Sequence, residues 1–161
     1  MTHYIKILIL LVAMLFPSLA DGNVQQPTTV ESTVNEIVRK YEESQGVNCM
    51  TVVKGKGLDM VKMMFNKEFG KEFMKGVTSI TIIEYSEAPE ETCMSLRKDL
   101  DAFLSLLQEF DISNEKQFAD NDYIRCFVSA SDSKTLSDFV IALENDESKM
   151  IMYMAGKIVI E

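Results

Sequence analysis

The stretch Lys149-Met-Ile-Met-Tyr-Met-Ala155 is apolar at every position after its lysine. Alternation along a strand sends Met150, Met152 and Met154 to one side and Ile151, Tyr153 and Ala155 to the other. Both sides are therefore hydrophobic, which is what a strand buried on both faces requires. Working outward, Gly156 interrupts the run, and Lys157 to Ile160 forms a possible further element. Upstream, Thr135 to Leu143 reads as a short helix and Tyr123 to Ala130 as a strand.

Further toward the N-terminus the strongest helical signal follows the turn Ser86-Glu87-Ala88-Pro89. Met94, Leu100, Phe103, Leu104, Leu107 and Phe110 fall on one face, with acids near the helix start suiting the macrodipole. Val77 to Tyr85 and Val47 to Val53 are strands. Leu58 to Lys75 is one or two helices interrupted near Gly70, reached through the glycine turn Lys54 to Gly57. Thr28 and Glu31 have capping-box spacing, and Val30, Val34, Ile37, Val38 and Tyr41 repeat at helical intervals until Gly46. Helices and strands alternate, which predicts an α/β (α+β) two-layer sandwich. Its sheet is expected to be mixed and four- to five-stranded, covered by helices on one face and related to ferredoxin-like folds.

The first residues have the form of an export signal. Lys6 lies in an apolar run from Ile5 to Phe16, followed by Pro17-Ser18-Leu19-Ala20 with small residues suited to a signal peptidase. The run is shorter than the roughly twenty residues that span a bilayer, so cleavage after Ala20 is expected rather than a retained anchor. The expected organisation is a signal over 1–20, a flexible leader over 21–27 and a single domain over 28–161. Cleavage removes His3, the only histidine, and leaves 15 basic against 25 acidic residues, a formal charge of −10. That charge repels nucleic acid and anionic lipid. The expected location is periplasmic or secreted, without a transmembrane segment after cleavage.

The order of elements, with Tyr41-Glu-Glu-Ser-Gln-Gly46-Val before the first strand and Met150-Ile-Met-Tyr-Met-Ala-Gly156-Lys-Ile at the end, resembles a family of small exported Bacteroidetes proteins, domain of unknown function 4252. The resemblance spans Val30 to Ile160 and rests on apolar patterning and a glycine-containing terminal strand. It implies export and a compact α/β domain. That family has no established activity, so the resemblance implies no catalytic residue and no cofactor.

Four patterns invite chemistry, and each has a structural explanation. Met150, Met152 and Met154 present soft thioethers suited to cuprous ion, but methionine also fills irregular cores. Ser131-Asp132-Ser133-Lys134 places lysine three residues after serine, as in serine hydrolases of the envelope. The spacing recurs at Ser95 and Lys98, and Ser131, Asp132 and Ser133 more simply cap the helix expected after them. Lys54-Gly55-Lys56-Gly57 offers backbone amides to an anion, yet glycines at a turn need no ligand. The acidic groups Glu87, Glu90 and Glu91, Asp120 and Asp122, and Glu144, Asp146 and Glu147 have calcium-type oxygens without an EF-hand pattern.

Cys49, Cys93 and Cys126 allow one disulfide or three buried thiols; Cys49 and Cys126 both sit in strand-like runs and could face each other across a sheet. The leading expectation is a noncatalytic envelope interaction or ligand-binding module. Its contact candidates are Met60, Met63, Met64, Phe65, Phe69 and Met74, meeting another envelope protein or an apolar ligand. Methionine-based copper(I) handling and a small envelope hydrolase are the alternatives.

Overall fold

A computed structural model of the chain describes residues 29–69, 72–111, 123–131 and 134–159. The export signal, the leader, Thr28, Gly70, Asp120, Asp122, Asp132, Ser133 and Ile160 lie outside the described residues. Three helices, α1 (Thr29–Tyr41), α2 (Lys56–Phe69) and α3 (Glu90–Leu104), accompany seven strands. These are β1 (Asn48–Val53), β2 (Gly76–Glu84), β3 (Gln108–Phe110), β4 (Ile124–Val128), β5 (Ala130–Ser131), β6 (Thr135–Glu144) and β7 (Lys149–Val159). One sheet runs in the order β1-β2-β7-β6-β4-β3, with β5 hydrogen-bonded to β6.

The expected burial of Lys149 to Ala155 on both faces holds. Met150, Met152 and Met154 enter a core with Leu58, Val61 and Phe65 of α2. Ile151, Tyr153 and Ala155 enter a second core, on the other side, with Val34, Ile37 and Tyr41 of α1 and Leu96, Leu100 and Phe103 of α3. The α1–α3 pair is tied by Tyr41 Oη donating to Asp99 Oδ2 at 2.8 Å and by Lys40 Nζ at 2.6 Å from the same oxygen. Lys40 beside it holds the Asp99 carboxyl below the ordinary carboxylate range.

The α/β sandwich agrees with the sequence reading, and the details of its sheet differ. All pairings are antiparallel rather than mixed, and there are seven strands rather than four or five. The helices also lie on both faces rather than one, because α2 packs against the methionine side. No parallel pair of the ferredoxin-like kind occurs among the described residues.

Most of the extra width comes from Thr135 to Leu143, which is a strand and not a helix. Leu136, Phe139, Val140 and Leu143 fit a helical period, but the same four fit a strand with one irregularity between Ser137 and Phe139. Pairing with β7 decides between them, and in the connecting loop Asn145 Oδ1 accepts from the Glu147 and Ser148 amides at 2.9 and 2.8 Å. This Asx turn folds β6 directly back onto β7. Lys157 onward is not a separate element, since β7 continues to Val159. The expected long helix ends at Leu104, where Ser105 Oγ donates to the Ala102 carbonyl at 2.6 Å, and the chain extends again as β3 against β4.

Gly156 absorbs the irregularity in β7. Its φ is +101°, and a Cβ there would lie 2.3 Å from the Gly76 carbonyl oxygen of β2. Gly156→Ala therefore combines left-handed strain with a backbone clash and is expected to cost at least about 1 kcal/mol. Gly55→Ala, at φ +111° with nothing within 4 Å of the added carbon, carries the strain alone. Urea unfolding should place the Gly156 variant below the Gly55 variant.

Candidate functional site

α2 is held on the sheet by alternate sides of its own sequence. Gly55 turns the chain out of β1, and its carbonyl accepts from the Asp59 amide at 3.0 Å to close the first helical turn. Leu58, Val61 and Phe65, spaced three and four residues apart, sink into the core at 3%, 1% and 3% exposure. The same period turns Met60 and Met63 outward at 41% and 66% exposure, with Met64 half-buried between the two sides. Met60 and Met63 thus form an exposed apolar pair on a helix already anchored by its other face; Met94, Leu106 and Tyr123 are exposed elsewhere among the described residues. Lysines 54, 56, 62, 67 and 75 lie on the same stretch of sequence. Lys62 Nζ donates to the Lys75 carbonyl, and Lys75 pairs with Glu72 at 2.7 Å.

The contact candidates therefore divide. Met60, Met63 and Met64 share the accessible side of α2, whereas Phe65 and Met74 belong to the core, Met74 being fully buried. The Met74 amide donates to Asn66 Oδ1 at 3.0 Å, which fastens the returning chain to the helix. The side chain of Phe69 lies outside the described residues.

Met150, Met152 and Met154 are 7%, 1% and 0% exposed. Their cross-strand partners are Leu143, Ile141 and Phe139 on β6, and Glu84, Ile82 and Ile80 on β2. Hydrocarbon surrounds the lower two thioethers, as core filling requires. Ser131 is exposed on β5 opposite Leu136, and Lys134 is exposed at the foot of β6. Because β6 is a strand, this segment caps no helix, contrary to the sequence reading. Ser95 is instead bonded to Tyr41 Oη at 2.8 Å across the α1–α3 contact. Glu87, Glu90 and Glu91 are exposed, as are Glu144, Asp146 and Glu147, with Glu144 in an ion pair to Arg97. No cluster of three metal-binding His, Cys, Asp or Glu residues occurs among the described residues.

The cysteines are free. Cys49 packs with the α1–α3 core and Cys126 with the α2 core, so the two point to opposite sides of the sheet and cannot form the bridge considered from sequence. Burial pushes the Cys49 thiol up to about 11 and the Cys126 thiol up to about 12.

One polar group escaped the sequence reading. Asp138, 9% exposed and at φ +51°, sits where β6 is irregular; its Oδ1 accepts from Tyr153 Oη at 3.0 Å and its Oδ2 from Ser129 Oγ at 2.8 Å. Aspartate tolerates the left-handed conformation better than most residues, and both carboxylate oxygens are satisfied. Here a carboxylate, a serine and a tyrosine lock three strands together, β7 through Tyr153, β6 through Asp138 and the end of β4 through Ser129. The only hint in the sequence is a charged residue between Leu136 and Phe139.

Asp138→Leu, which removes the carboxylate that accepts from Tyr153 and Ser129 and places a branched side chain at φ +51°, is expected to destabilise by about 2 to 4 kcal/mol in chemical unfolding. The raised thiols give a pH dependence whose sign is fixed. Unfolded thiols ionise near 9 while Cys49 and Cys126 stay protonated to about 11 and about 12. The unfolded state then binds fewer protons, so stability is whole below pH 9 and falls as the pH rises through that window. Cys126→Ala should flatten the fall in a pH series of unfolding midpoints.

No protein-family model matches this chain, and no curated protein or solved structure matches it.

Proposed function

We propose that this protein is a noncatalytic interaction module of the cell envelope, exported by its N-terminal signal and contacting another envelope protein through the outer side of α2. The observation that carries the reading is the pair Met60 and Met63, 41% and 66% exposed on a helix whose inner face is fixed by Leu58, Val61 and Phe65. Methionine suits such a role because its unbranched thioether adapts to irregular partner surfaces at little cost. An apolar ligand is the other occupant of the same surface. The resemblance to domain of unknown function 4252 supports export but assigns no partner.

Two features support a contact role over catalysis. Ser131 and Lys134 of the serine–lysine arrangement are both exposed, and each oxygen of the buried Asp138 carboxylate accepts a hydrogen bond, from Tyr153 and from Ser129. No helix among the described residues is long and apolar enough to cross a membrane.

The test is site-specific photo-crosslinking in cells that export the protein. A benzoyl-phenylalanine at position 63 should give one discrete adduct, and the same group at Glu91 should give none. Met60→Glu together with Met63→Glu should abolish the partner interaction while the thermal midpoint stays within a few degrees of wild type. Equal labelling from both positions, or none from position 63, would rule the reading out.

A further inference from the structure

The two edges of the sheet are protected very differently. β3 is three residues long and carries Glu109, whose carboxylate takes two hydrogen bonds from Arg125 at 2.8 and 3.1 Å. Shortness and charge are the usual defences of an edge against a second chain. β1 has neither. Asn48-Cys-Met-Thr-Val-Val53 contains no charge and no proline, and its six residues pair with β2 in unbroken register from Asn48↔Glu84 to Val53↔Ser79. Asn48 and Thr51 are exposed, Cys49, Met50 and Val53 are half-buried and Val52 is buried, and no strand among the described residues pairs with the outer side of β1.

Charge is segregated at the ends of this strand. Exposed Glu42 and Glu43 precede it, and Glu84 lies beside its first residue, where Asn48 Nδ2 donates to Glu84 Oε2 at 2.9 Å. Exposed Lys54 and Lys56 follow it. One end is acidic, the other basic, and the middle neutral. An antiparallel neighbour with the same sequence brings the acidic end of each strand against the basic end of the other, twice over. A parallel copy would bring like charges together.

We propose that β1 is a homodimerisation edge, pairing antiparallel with β1 of a second copy about a two-fold axis perpendicular to the sheet. Directly opposed residues in antiparallel strands share a face, so the axis must pass at a residue rather than between two. With Met50 or Thr51 on the axis, the strands overlap over nearly their whole length and the sheet becomes continuous through both copies. A protein of net charge −9 repels itself over most of its surface, and this uncharged strand with oppositely charged ends is where that repulsion is relieved. The proposal is independent of the α2 contact surface.

Sedimentation equilibrium of the purified protein at low salt tests it. Wild type should show a reversible monomer–dimer equilibrium that shifts toward monomer as salt rises. Lys54→Glu with Lys56→Glu should abolish the dimer, and adding Glu42→Lys with Glu43→Lys should restore it. Thr51→Lys, which opposes two cations near the axis, should give a monomer with unchanged far-ultraviolet circular dichroism. A monomeric mass for wild type at every concentration would overturn the proposal, and so would a dimer that survives both Thr51→Lys and the lysine reversals.

Discussion

Everything in this fold answers to β7, a strand apolar on both sides. Such a strand is stable only if each side is sealed by a separate layer, because leaving either in water would forfeit about 1.5–3 kcal/mol for each large side chain exposed. One layer is built by α1 and α3 over Ile151, Tyr153 and Ala155, the other by α2 over Met150, Met152 and Met154. The backbone of β7 imposes a second demand, since neither edge can be left unpaired in such a dry environment. β2 and β6 supply those hydrogen bonds on either side.

The price of that arrangement is concentrated in one place. β7 departs from regular register near Gly156, where β2 and β6 are also irregular, at Val77/Ser79 and Ser137/Phe139. Only a residue without Cβ fits against the Gly76 carbonyl there, and apart from glycine a short polar residue is what best tolerates φ +51° at the neighbouring irregularity of β6. Asp138 fills that position and turns its carboxylate toward Tyr153 and Ser129. A buried polar side chain in this setting serves alignment of strands through its two hydrogen bonds.

Function moves outward from that sealed interior. Reactive groups that drew attention in the sequence are divided between a dry core, where Met152 and Met154 pack, and open surface, where Ser131 and Lys134 lie. The two proposed contact surfaces, the methionine pair of α2 and the neutral edge of β1, are joined by the turn at Gly55. Those two surfaces adjoin in sequence because the chain leaves the edge strand and immediately packs α2 beneath it.

Local chemistry determined several features outright. The two-sided apolarity of Lys149 to Ala155, the helical spacing from Val30 to Tyr41 and the helix stop before Gly46 are properties of neighbouring residues, and they were legible in the sequence, whereas Gly156 reads locally as a break and lies inside β7. The surface role of Met60 and Met63 against the core role of Phe65 follows from helical period too, but Met74 lies beyond the helix and its burial comes from the sheet. The state of Thr135 to Leu143 could not be read locally, since its apolar positions satisfy a helix and an irregular strand alike; hydrogen bonding to β7 chose between them. The same holds for Cys49 and Cys126, whose opposition depends on strand order, and for the exposed edge of β1. Periodicity records which side of an element is dry, whereas which elements become neighbours is decided by burial and backbone pairing across the whole chain.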